Sequence, residues 1–539
     1  MTAGPVPQPA AGRAVAPAGG APGQRTPVVA IIGGGIAGLA AAYALRDAGV
    51  AVTVLEGSPR LGGKLAVSPV AGIDVDAGAE ALLARRPEGI GLLAELGLDG
   101  ERRQPGTTSA GIWTRGQIRP LPRRQFMGVP ADPAELAPSG LLSPEGVARA
   151  EADAELPAAP ADGADASVTD RVGARMGREV VDRLVEPLLG GVYAGRCEDL
   201  SFQATLAPLA AAAPRFATLG QAVASLLPPP PPGPVTPAPS RAAPPLGSAL
   251  SGSSGLSGPS GPSGSAGPSG PSGPSGPAAP APLPVFTTLA GGLGTLPPLL
   301  AAASGADVRT RATVRELART AGGWRLTIGS AHAPEWLDAD AVILALPARP
   351  ASRLLAGTAP AAAAALAEIS YASMAVITLA YPDTAFPAPP SGSGFLVPAV
   401  DGHAIKAVTY STVKWPHLRD AGAGLHLVRC SVGRLGDEAI LQRDDADLAG
   451  LAAADLAAAT GVRGRPADVR VTRWGGGLPQ YSVGHLDRVA RIRAGVAAEP
   501  GLAVCGAAYD GVGIPACIAS ARLAARQVLA HLAAPAARP

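Results

Sequence analysis

The stretch VVAIIGGGIAGLAAAYALRDAGVAVTVLE, from Val28 to Glu56, decides the fold. A β-branched run, a glycine turn, an alanine-rich segment and a second β-branched run follow one another, which predicts a βαβ unit. Gly33, Gly35 and Gly38 form a G-x-G-x-x-G between the predicted strand and helix, and Glu56 ends the second strand eighteen residues past Gly38. This context predicts a dinucleotide-binding turn.

Each glycine of the motif has a separate physical reason. The first permits the tight turn, the second lets the backbone approach a pyrophosphate, and the third allows the helix and strand to pack closely. The phosphates then lie on the helix N-terminus, where unpaired N–H groups and the helix dipole favour negative charge. A glycine turn kept for packing alone is the alternative.

The residues beyond Glu56 favour FAD over NAD. The runs GSPRLGGKL (57–65) and IDVDAGAEALLARRP (73–87) add a second glycine pair and an extended strand, which a hydride-shuttling NAD domain does not need. The whole run resembles the FAD-binding region of the amine-oxidase-like flavoproteins. By that resemblance Arg60, Gly62, Gly63 and Lys64 lie along the dinucleotide, and residues 78–81 lie near the isoalloxazine ring.

The C-terminal segment GLAVCGAAYDGVGIPACIASARLAARQVLAHL predicts a strand, a glycine turn and a terminal helix. Gly506, Gly511 and Gly513 allow close backbone approach, and Pro515 suits the first turn of a helix. A helix N-terminus aimed at the flavin pyrimidine would stabilise the negative charge that appears on reduction. An ordinary strand–turn–helix that closes a sheet is the alternative.

Composition and charge exclude several classes of protein. The 539 residues are 47% hydrophobic, enough for two to four packed domains. A net charge of +2 and 3% aromatic residues do not indicate a nucleic-acid binder. Four cysteines without a C-x-x-C and six scattered histidines predict neither disulfides nor a metal site, which favours the cytoplasm. The charge-free run 28–45 could imitate a membrane span, but strand, turn and helix explain it better.

Glycine and proline are in excess, with 70 and 58 residues respectively. Part of this excess lies in the first 26 residues, which we interpret as a disordered tail, and part in residues 228–282. Within the latter, glycine recurs every third residue from Gly252 to Ala278, which is the collagen period. A flexible inserted linker or surface loop is favoured over a triple helix, since the tract is short for one.

Narrower motifs identify a family. They are EPLLGGVYAG (186–195), TLAGGLGTLP (288–297), GSGFLVP (392–398), STVKWPH (411–417), VTRWGGGLPQYSVGHLDRV (471–489) and CGAAYDGVGIPACIASARLAA (505–525). From Val28 to about Leu529, the insertion excepted, the chain resembles the protoporphyrinogen/coproporphyrinogen oxidases, and most of all the coproporphyrinogen type found in actinobacteria.

The resemblance implies an α/β fold with a discontinuous Rossmann-like FAD-binding domain, a mixed-sheet substrate domain and a helical domain. The expected division is 1–26 tail, 27–85 FAD-binding, 86–118 substrate, 119–214 helical, 215–227 substrate, 228–282 disordered insertion, 283–350 FAD-binding, 351–485 substrate and 486–535 FAD-binding.

The resemblance also implies the FAD contacts. They are Gly33, Gly34, Gly35, Ile36, Ala37, Gly38, Glu56, Gly57, Lys64, Gly78, Ala79, Glu80, Ala81, Val314, Trp474, Gly513, Ile514 and Pro515. Sequence physics alone makes Val314 an ordinary strand residue and leaves Trp474 open as a core residue. Tyr371, Lys414, Tyr481 and His485 are polar residues in family-like motifs, but no catalytic base is assigned, and no metal is expected.

The implied reaction is a six-electron oxidation of a porphyrinogen in haem biosynthesis, made in three two-electron steps with dioxygen as acceptor and hydrogen peroxide released. Coproporphyrinogen III carries four propionates, whereas protoporphyrinogen IX carries two. A pocket that binds the four carboxylates is expected to contain arginine or lysine. The candidates are Arg85, Arg86, Arg123, Arg124, Lys414 and Arg488. Glu80 stands where membrane-bound relatives tend to carry arginine, which favours the coproporphyrinogen type.

Three hypotheses therefore stand. The first is coproporphyrinogen III oxidation in the cytoplasm, with transient contacts to other haem-pathway enzymes and no stable membrane span. The second is protoporphyrinogen IX oxidation or another amine-oxidase-like flavin reaction. The third, from a different class, is a non-enzymatic interaction protein organised by its collagen-like tract.

Overall fold

The computed structural model describes residues 25–157, 163–229, 285–422 and 424–534. The expected tail (1–26) and insertion (228–282) lie outside these residues except at their edges, so both stay predictions. The elements below belong to one compact unit that takes residues from both sides of the insertion.

The strands are numbered along the chain. They are β1 (Val28–Ile32), β2 (Ala51–Leu55), β3 (Val67–Val70), β4 (Ile73–Asp76), β5 (Leu82–Leu83), β6 (Arg102–Arg103), β7 (Gly111–Thr114), β8 (Gln117–Pro120), β9 (Gln125–Phe126), β10 (Val129–Pro130), β11 (Phe286–Leu289), β12 (Asp307–Arg309), β13 (Val314–Thr320), β14 (Gly323–Ser330), β15 (Ala333–Ala339), β16 (Ala341–Leu344), β17 (Tyr371–Pro382), β18 (Gly394–Leu396), β19 (Ile405–Tyr410), β20 (Leu425–Val432), β21 (Asp468–Pro479) and β22 (Leu502–Val504).

The helices are numbered in the same way. They are α1 (Ile36–Leu45), α2 (Pro87–Glu95), α3 (Pro144–Glu151), α4 (Ala174–Met176), α5 (Arg178–Val180), α6 (Glu186–Tyr193), α7 (Phe202–Thr205), α8 (Ala207–Ala212), α9 (Leu219–Leu226), α10 (Leu296–Ser304), α11 (Ala348–Leu355), α12 (Pro360–Ala367), α13 (Ser411–Lys414), α14 (Pro416–Ala421), α15 (Asp445–Thr460), α16 (His485–Ala497) and α17 (Ile514–Ala533).

A parallel sheet in the order β12-β2-β1-β16-β22 carries the predicted βαβ unit. Val29 pairs with Val52 on one side and with Ala341 on the other, so strands from distant parts of the chain lie side by side. The discontinuous Rossmann-like domain predicted from the sequence is therefore confirmed. The charge-free run 28–45 forms β1, the glycine turn and α1, as expected.

Both faces of this sheet are covered, which is the usual condition of a parallel sheet. On one face α1, α10 and α17 pack with Ile31 and Ile343 in an apolar core. On the other face α11, α12 and α16 pack with Ile32 and Leu344. The sheet is fixed between two helical layers, and this positions the turn after β1.

A second, mixed sheet has the order β21-β17-β20-β19-β18-β7-β8. Its pairs are antiparallel except for β18 with β7, where Phe395 pairs with Gly111. One face packs with α15 in a core that includes Ile377, Val428 and Leu448. The mixed sheet expected from the sequence is thus confirmed.

The helices α3 to α9 enclose a third core, which contains Val172, Leu184 and Leu209. The range 119–214 was expected to be largely helical, but its first residues form the end of β8 and the pair β9–β10. Proline at 120, 122 and 130 explains this, because proline removes a helical N–H donor and clashes with the preceding turn. Helical structure also continues beyond 214 through α9. The domain boundaries stay predictions.

The helices that the structure describes include none with both the length and the apolar composition needed to cross a membrane.

Candidate active site

A cavity of about 620 Å³ opens between the turn after β1 and the exposed face of the mixed sheet. Most of the residues expected at the FAD site line it. They are Gly33, Gly35, Ile36, Ala37, Glu56, Lys64, Gly78, Ala79, Glu80, Ala81, Trp474 and Ile514. The cavity therefore joins the N-terminal motif, the loop after β4 and the C-terminal segment.

Close packing requires glycine at two of the three motif positions, Gly33 and Gly38. Gly33 has φ +113°, and a Cβ on it would lie 2.4 Å from the carbonyl oxygen of Ala345. A Cβ on Gly38 would lie 1.8 Å from the carbonyl oxygen of Gly33. A Cβ on Gly35 would meet nothing within 4 Å, since this residue faces the open cavity. The turn is therefore tightly packed at Gly33 and Gly38. At Gly35 it faces the cavity, where a phosphate would lie.

The N-terminus of α1 points into this opening without a side-chain cap. Its unpaired N–H groups can therefore bind an anion. Beside it, the Glu56 carboxylate accepts hydrogen bonds from the backbone N–H of Gly34 at 2.7 Å and of Ser58 at 2.8 Å. These contacts fix the carboxylate at the end of β2, where it can accept hydrogen bonds from a ribose.

A second helix N-terminus, that of α17, also lacks a side-chain cap. The preceding loop is held by Tyr481, whose hydroxyl donates to the Ala507 carbonyl at 2.8 Å and accepts from the Gly511 N–H at 2.7 Å. Gly513 is the N-cap, and Ile514 lines the cavity. Pro515 instead faces α2, next to Gly89.

Lys64 lines the cavity as a partly buried cation. Burial lowers its pKa, and among the described residues no carboxylate forms an ion pair with its ammonium. A partly buried cation of this kind needs an anionic partner. With two uncapped helix N-termini and a fixed carboxylate at the same cavity, the residues present fit a flavin dinucleotide with its diphosphate.

Val314 and Gly57 lie near Glu56 but do not line the cavity. The segment before Val314 runs beside the end of β2, where the Ala312 N–H donates to the Glu56 carbonyl at 2.8 Å. A Cβ on Gly57 would approach the Thr313 hydroxyl oxygen at 3.0 Å. The structure thus places both at the ribose end of the expected site, where a backbone contact to the adenine stays a prediction.

Trp474 lies on β21 of the mixed sheet, beside the loop that follows β4. Its indole N–H donates to the Ala77 carbonyl at 3.0 Å. In the antiparallel pairing of β17 with β21, Trp474 is directly opposite Met374. A Cβ on Gly78 would lie 2.0 Å from the Lys64 carbonyl oxygen and 3.0 Å from the indole ring. Glycine is therefore required at position 78. The indole ring of Trp474 both lines the cavity and packs against the loop that carries Gly78.

Glu80 is held between two cations from the mixed-sheet part of the chain. The Lys414 ammonium donates to Oε1 at 2.5 Å, and the Arg429 guanidinium donates to Oε2. Arg429 also donates to the Gly78 carbonyl at 2.7 Å. Burial would raise the pKa of Glu80, but its attraction to the two cations outweighs burial and lowers the pKa to about 2. Glu80 is therefore ionised at every physiological pH.

The four polar candidates take different positions. Tyr371 lines the cavity and accepts a hydrogen bond from the Ala348 N–H at 2.8 Å, and burial raises its pKa to about 12. Lys414 is paired with Glu80. Tyr481 and His485 stack with ring centres 3.8 Å apart, outside the cavity lining. Burial lowers the pKa of His485 to about 4, which leaves its ring neutral.

The arginines considered for propionate binding are not among the cavity-lining residues. Arg86 pairs with Glu88, and Arg488 pairs with Glu368. Arg429 lines the cavity instead, and sequence reasoning missed it. The available signal was the one arginine in the largely apolar strand β20, LHLVRCSV.

The chain is similar to several known proteins. A family model described as flavin containing amine oxidoreductase matches residues 36–529. The coproporphyrinogen III oxidase of Mycobacterium tuberculosis strain H37Rv is 38% identical over 514 residues, which cover 94% of this chain and 98% of that protein. The protoporphyrinogen oxidase of Bos taurus is 28% identical and covers 93% of this chain and 98% of its own length.

A solved structure from Exiguobacterium sp. 255-15 superposes with a TM-score of 0.76 at 27% identity. It covers 94% of this chain and 100% of that chain. The shared fold therefore extends over nearly the whole molecule.

Proposed function

Because the chain belongs to the family of flavin-containing amine oxidoreductases, we propose that it oxidises coproporphyrinogen III to coproporphyrin III with FAD as its cofactor. The observation that carries the proposal is the 38% identity, over 94% of the chain, to a relative named coproporphyrinogen III oxidase. The site supports it, since one cavity connects the dinucleotide-binding turn with an apolar wall of the mixed sheet.

The residues that would hold FAD come from three parts of the chain. The N-terminus of α1 and the cation of Lys64 suit the diphosphate, Glu56 suits the ribose, and the N-terminus of α17 suits the flavin pyrimidine. When bound, FAD supplies a two-electron acceptor for carbon–hydrogen oxidation.

In the proposed stoichiometry, one porphyrinogen loses six electrons and six protons in three equal steps. Three molecules of dioxygen take up these electrons and protons and leave as three molecules of hydrogen peroxide. One molecule of coproporphyrin III therefore appears for every three of peroxide.

The protein's own part in the reaction is to bind the macrocycle and exclude water. Met374, Val376 and Trp474 provide an apolar wall beside the loop that carries Gly78. Neither Glu80 nor Tyr371 is suited to act as a dedicated base, because Glu80 is paired with two cations that lower its pKa and Tyr371 already accepts a backbone N–H. The pyrrole N–H proton therefore leaves to water or to a nearby group in this proposal.

The substrate is tested by incubating the purified protein with coproporphyrinogen III and, separately, protoporphyrinogen IX, while porphyrin fluorescence and peroxide are measured. We expect kcat/KM to be at least about tenfold higher for coproporphyrinogen III, because two further carboxylates add charge-assisted contacts. Enzyme-free samples correct for spontaneous oxidation.

The reverse preference would support the second candidate, protoporphyrinogen oxidation, which rests on the similarity to the Bos taurus protein. If a flavin-loaded protein oxidises neither porphyrinogen, both candidates fail.

Lys64→Met should weaken FAD binding at least about tenfold, because the variant removes the partly buried cation that faces the cavity. The measurement is the dissociation constant from titration of apoprotein with FAD. Arg465→Met is the matched control, since Arg465 is exposed and lies outside the cavity lining. Equal FAD affinity for Lys64→Met and the unmodified protein would exclude Lys64 as a cofactor contact.

A cytoplasmic location and transient contacts with other haem-pathway enzymes stay part of the proposal. The alternative of a non-enzymatic protein organised by residues 228–282 predicts a colourless protein without bound flavin. A yellow protein with flavin absorbance after purification would remove that alternative.

A further inference from the structure

The chain uses lysine at three positions, although it contains 44 basic residues in total. All three lysines lie at or beside the cavity. Lys64 lines it, Lys414 pairs with the lining residue Glu80, and Lys406 contacts the lining residue Met374. Arginine can replace lysine at most exposed positions, but a compact ammonium is not interchangeable with a planar guanidinium at a fitted site.

Lys406 is the lysine that the cofactor site does not explain. Its side chain is 3% exposed, and its Nζ lies 4.0 Å from the Met374 sulfur. Among the described residues, no carboxylate forms an ion pair with it. The charged group that acts on it is Arg434, a second cation, which donates to the Val397 carbonyl at 2.9 Å. Burial, and after it the charge of Arg434, lowers the pKa of Lys406 to about 7. A carboxylate bound beside Nζ would supply the missing counter-charge and favour the ammonium form.

Lys406 lies at a β-bulge next to the cavity wall. In the pairing of β19 with β20, Ile405 pairs with Val432 and Ala407 pairs with Ser431, so Lys406 is the extra residue. Bulges of this kind redirect a side chain and are frequent beside active sites. Ala407 and Ser431 line the cavity, as does Met374. The ammonium therefore ends one side chain away from the cavity, behind a methionine that can turn aside.

The position is at the substrate end of the cavity. Here the wall comes from β17, β19 and β20 of the mixed sheet, whereas the dinucleotide motif lies on the parallel sheet. An anion bound beside Lys406 would consequently be a group of the substrate rather than of FAD.

We propose that Lys406 binds a propionate carboxylate of the substrate and contributes to a preference for porphyrinogens with four carboxylates over those with two. This inference rests on the proposed function. Lys406 acts as a binding residue, and no proton or electron transfer is assigned to it.

The test measures equilibrium binding of oxidised porphyrins to the FAD-loaded full-length protein, by quenching of porphyrin fluorescence. Coproporphyrin III has four carboxylates, protoporphyrin IX has two, and coproporphyrin tetramethyl ester has none. We expect Lys406→Met to weaken coproporphyrin III binding at least about tenfold and to leave binding of the tetramethyl ester unchanged. Lys406→Arg keeps the charge but replaces the compact ammonium with a planar guanidinium, so it should restore only part of the preference for coproporphyrin III.

Thermal unfolding and FAD content separate binding from a structural role. Removal of a buried, unpaired ammonium should leave the Tm equal or higher, with full FAD content. Arg465→Met again controls for the change in net charge. A lower Tm with loss of flavin in Lys406→Met, or coproporphyrin III affinity equal to that of the unmodified protein, would overturn the inference.

The same experiments distinguish the inference from the proposed function. If the unmodified protein oxidises coproporphyrinogen III but Lys406→Met binds the product equally well, the inference alone fails. If the unmodified protein neither oxidises the porphyrinogen nor binds coproporphyrin III, the proposed function fails.

Discussion

Gly38→Ala should yield a protein that does not retain FAD. The added Cβ would lie 1.8 Å from the backbone carbonyl oxygen of Gly33, so α1 must move away from the turn after β1. Neither partner is a flexible side chain, and we expect a loss of about 3 kcal/mol, the upper range for overpacking. Flavin absorbance after purification, the Tm, and the FAD dissociation constant of the apoprotein measure the effect.

Gly91→Ala is the matched control for Gly38→Ala. Gly91 lies inside α2, and a Cβ there would meet nothing within 4 Å. Alanine should therefore keep FAD and raise stability by about 0.5–1 kcal/mol, the usual gain inside a helix. If Gly38→Ala retains flavin as fully as Gly91→Ala, the close contact between α1 and the turn is not required.

Glu80→Gln should be the most destabilising of the charge changes. It leaves the buried cations Lys414 and Arg429 without a counter-charge, and the new amide N–H group must face one of them. Breaking a buried ion pair from one side typically costs about 3–5 kcal/mol. The expected result is a clear fall in Tm and weaker FAD retention, because Gly78 beside this cluster lines the same cavity.

The effect of Glu80→Gln should depend on pH. The folded pKa of Glu80 is lowered to about 2, below its ordinary value of 4.5, so the carboxylate stabilises the fold fully above pH 4.5. That contribution falls as the pH drops from 4.5 towards 2, and the Tm gap between variant and unmodified protein should shrink accordingly. Glu88→Gln, at an exposed pair with Arg86, should cost less than about 1 kcal/mol. Equal Tm losses for the two variants would refute the role of the buried cluster.

The sequence was most informative where the determinants are local. The strand, turn and helix around Gly33 and Gly38 follow from short-range patterns, and Glu56 is 22 residues from its partner Gly34. The same holds for the terminal helix α17 after its glycine turn. Such features depend on backbone sterics and helix ends, which neighbouring residues determine.

The part of the cavity that the mixed sheet forms could not be predicted in the same way. Arg429 reaches Glu80 across 349 residues of sequence, and Met374 meets Trp474 through strand pairing. Pairing register depends on the whole sheet, and a shift by one residue moves every side chain to the other face. The bulge at Lys406 arises from this register and had no separate sequence signal. Exposed arginines such as Arg123 were consequently as plausible from sequence as the buried Arg429.

The order of strands in the parallel sheet also has a consequence for synthesis. During translation, β16, the partner strand of β1, is synthesised about 310 residues after β1. At 5–20 residues per second, the nascent β1–β2 pair waits roughly 15–60 s for its neighbour. The tract at 228–282 adds about 55 residues to this interval. During this interval, the backbone N–H and C=O groups at the free edge of β1 have no partner strand and could pair with another chain. The time needed to translate the middle of the chain therefore sets how long this edge of β1 stays without its partner strand.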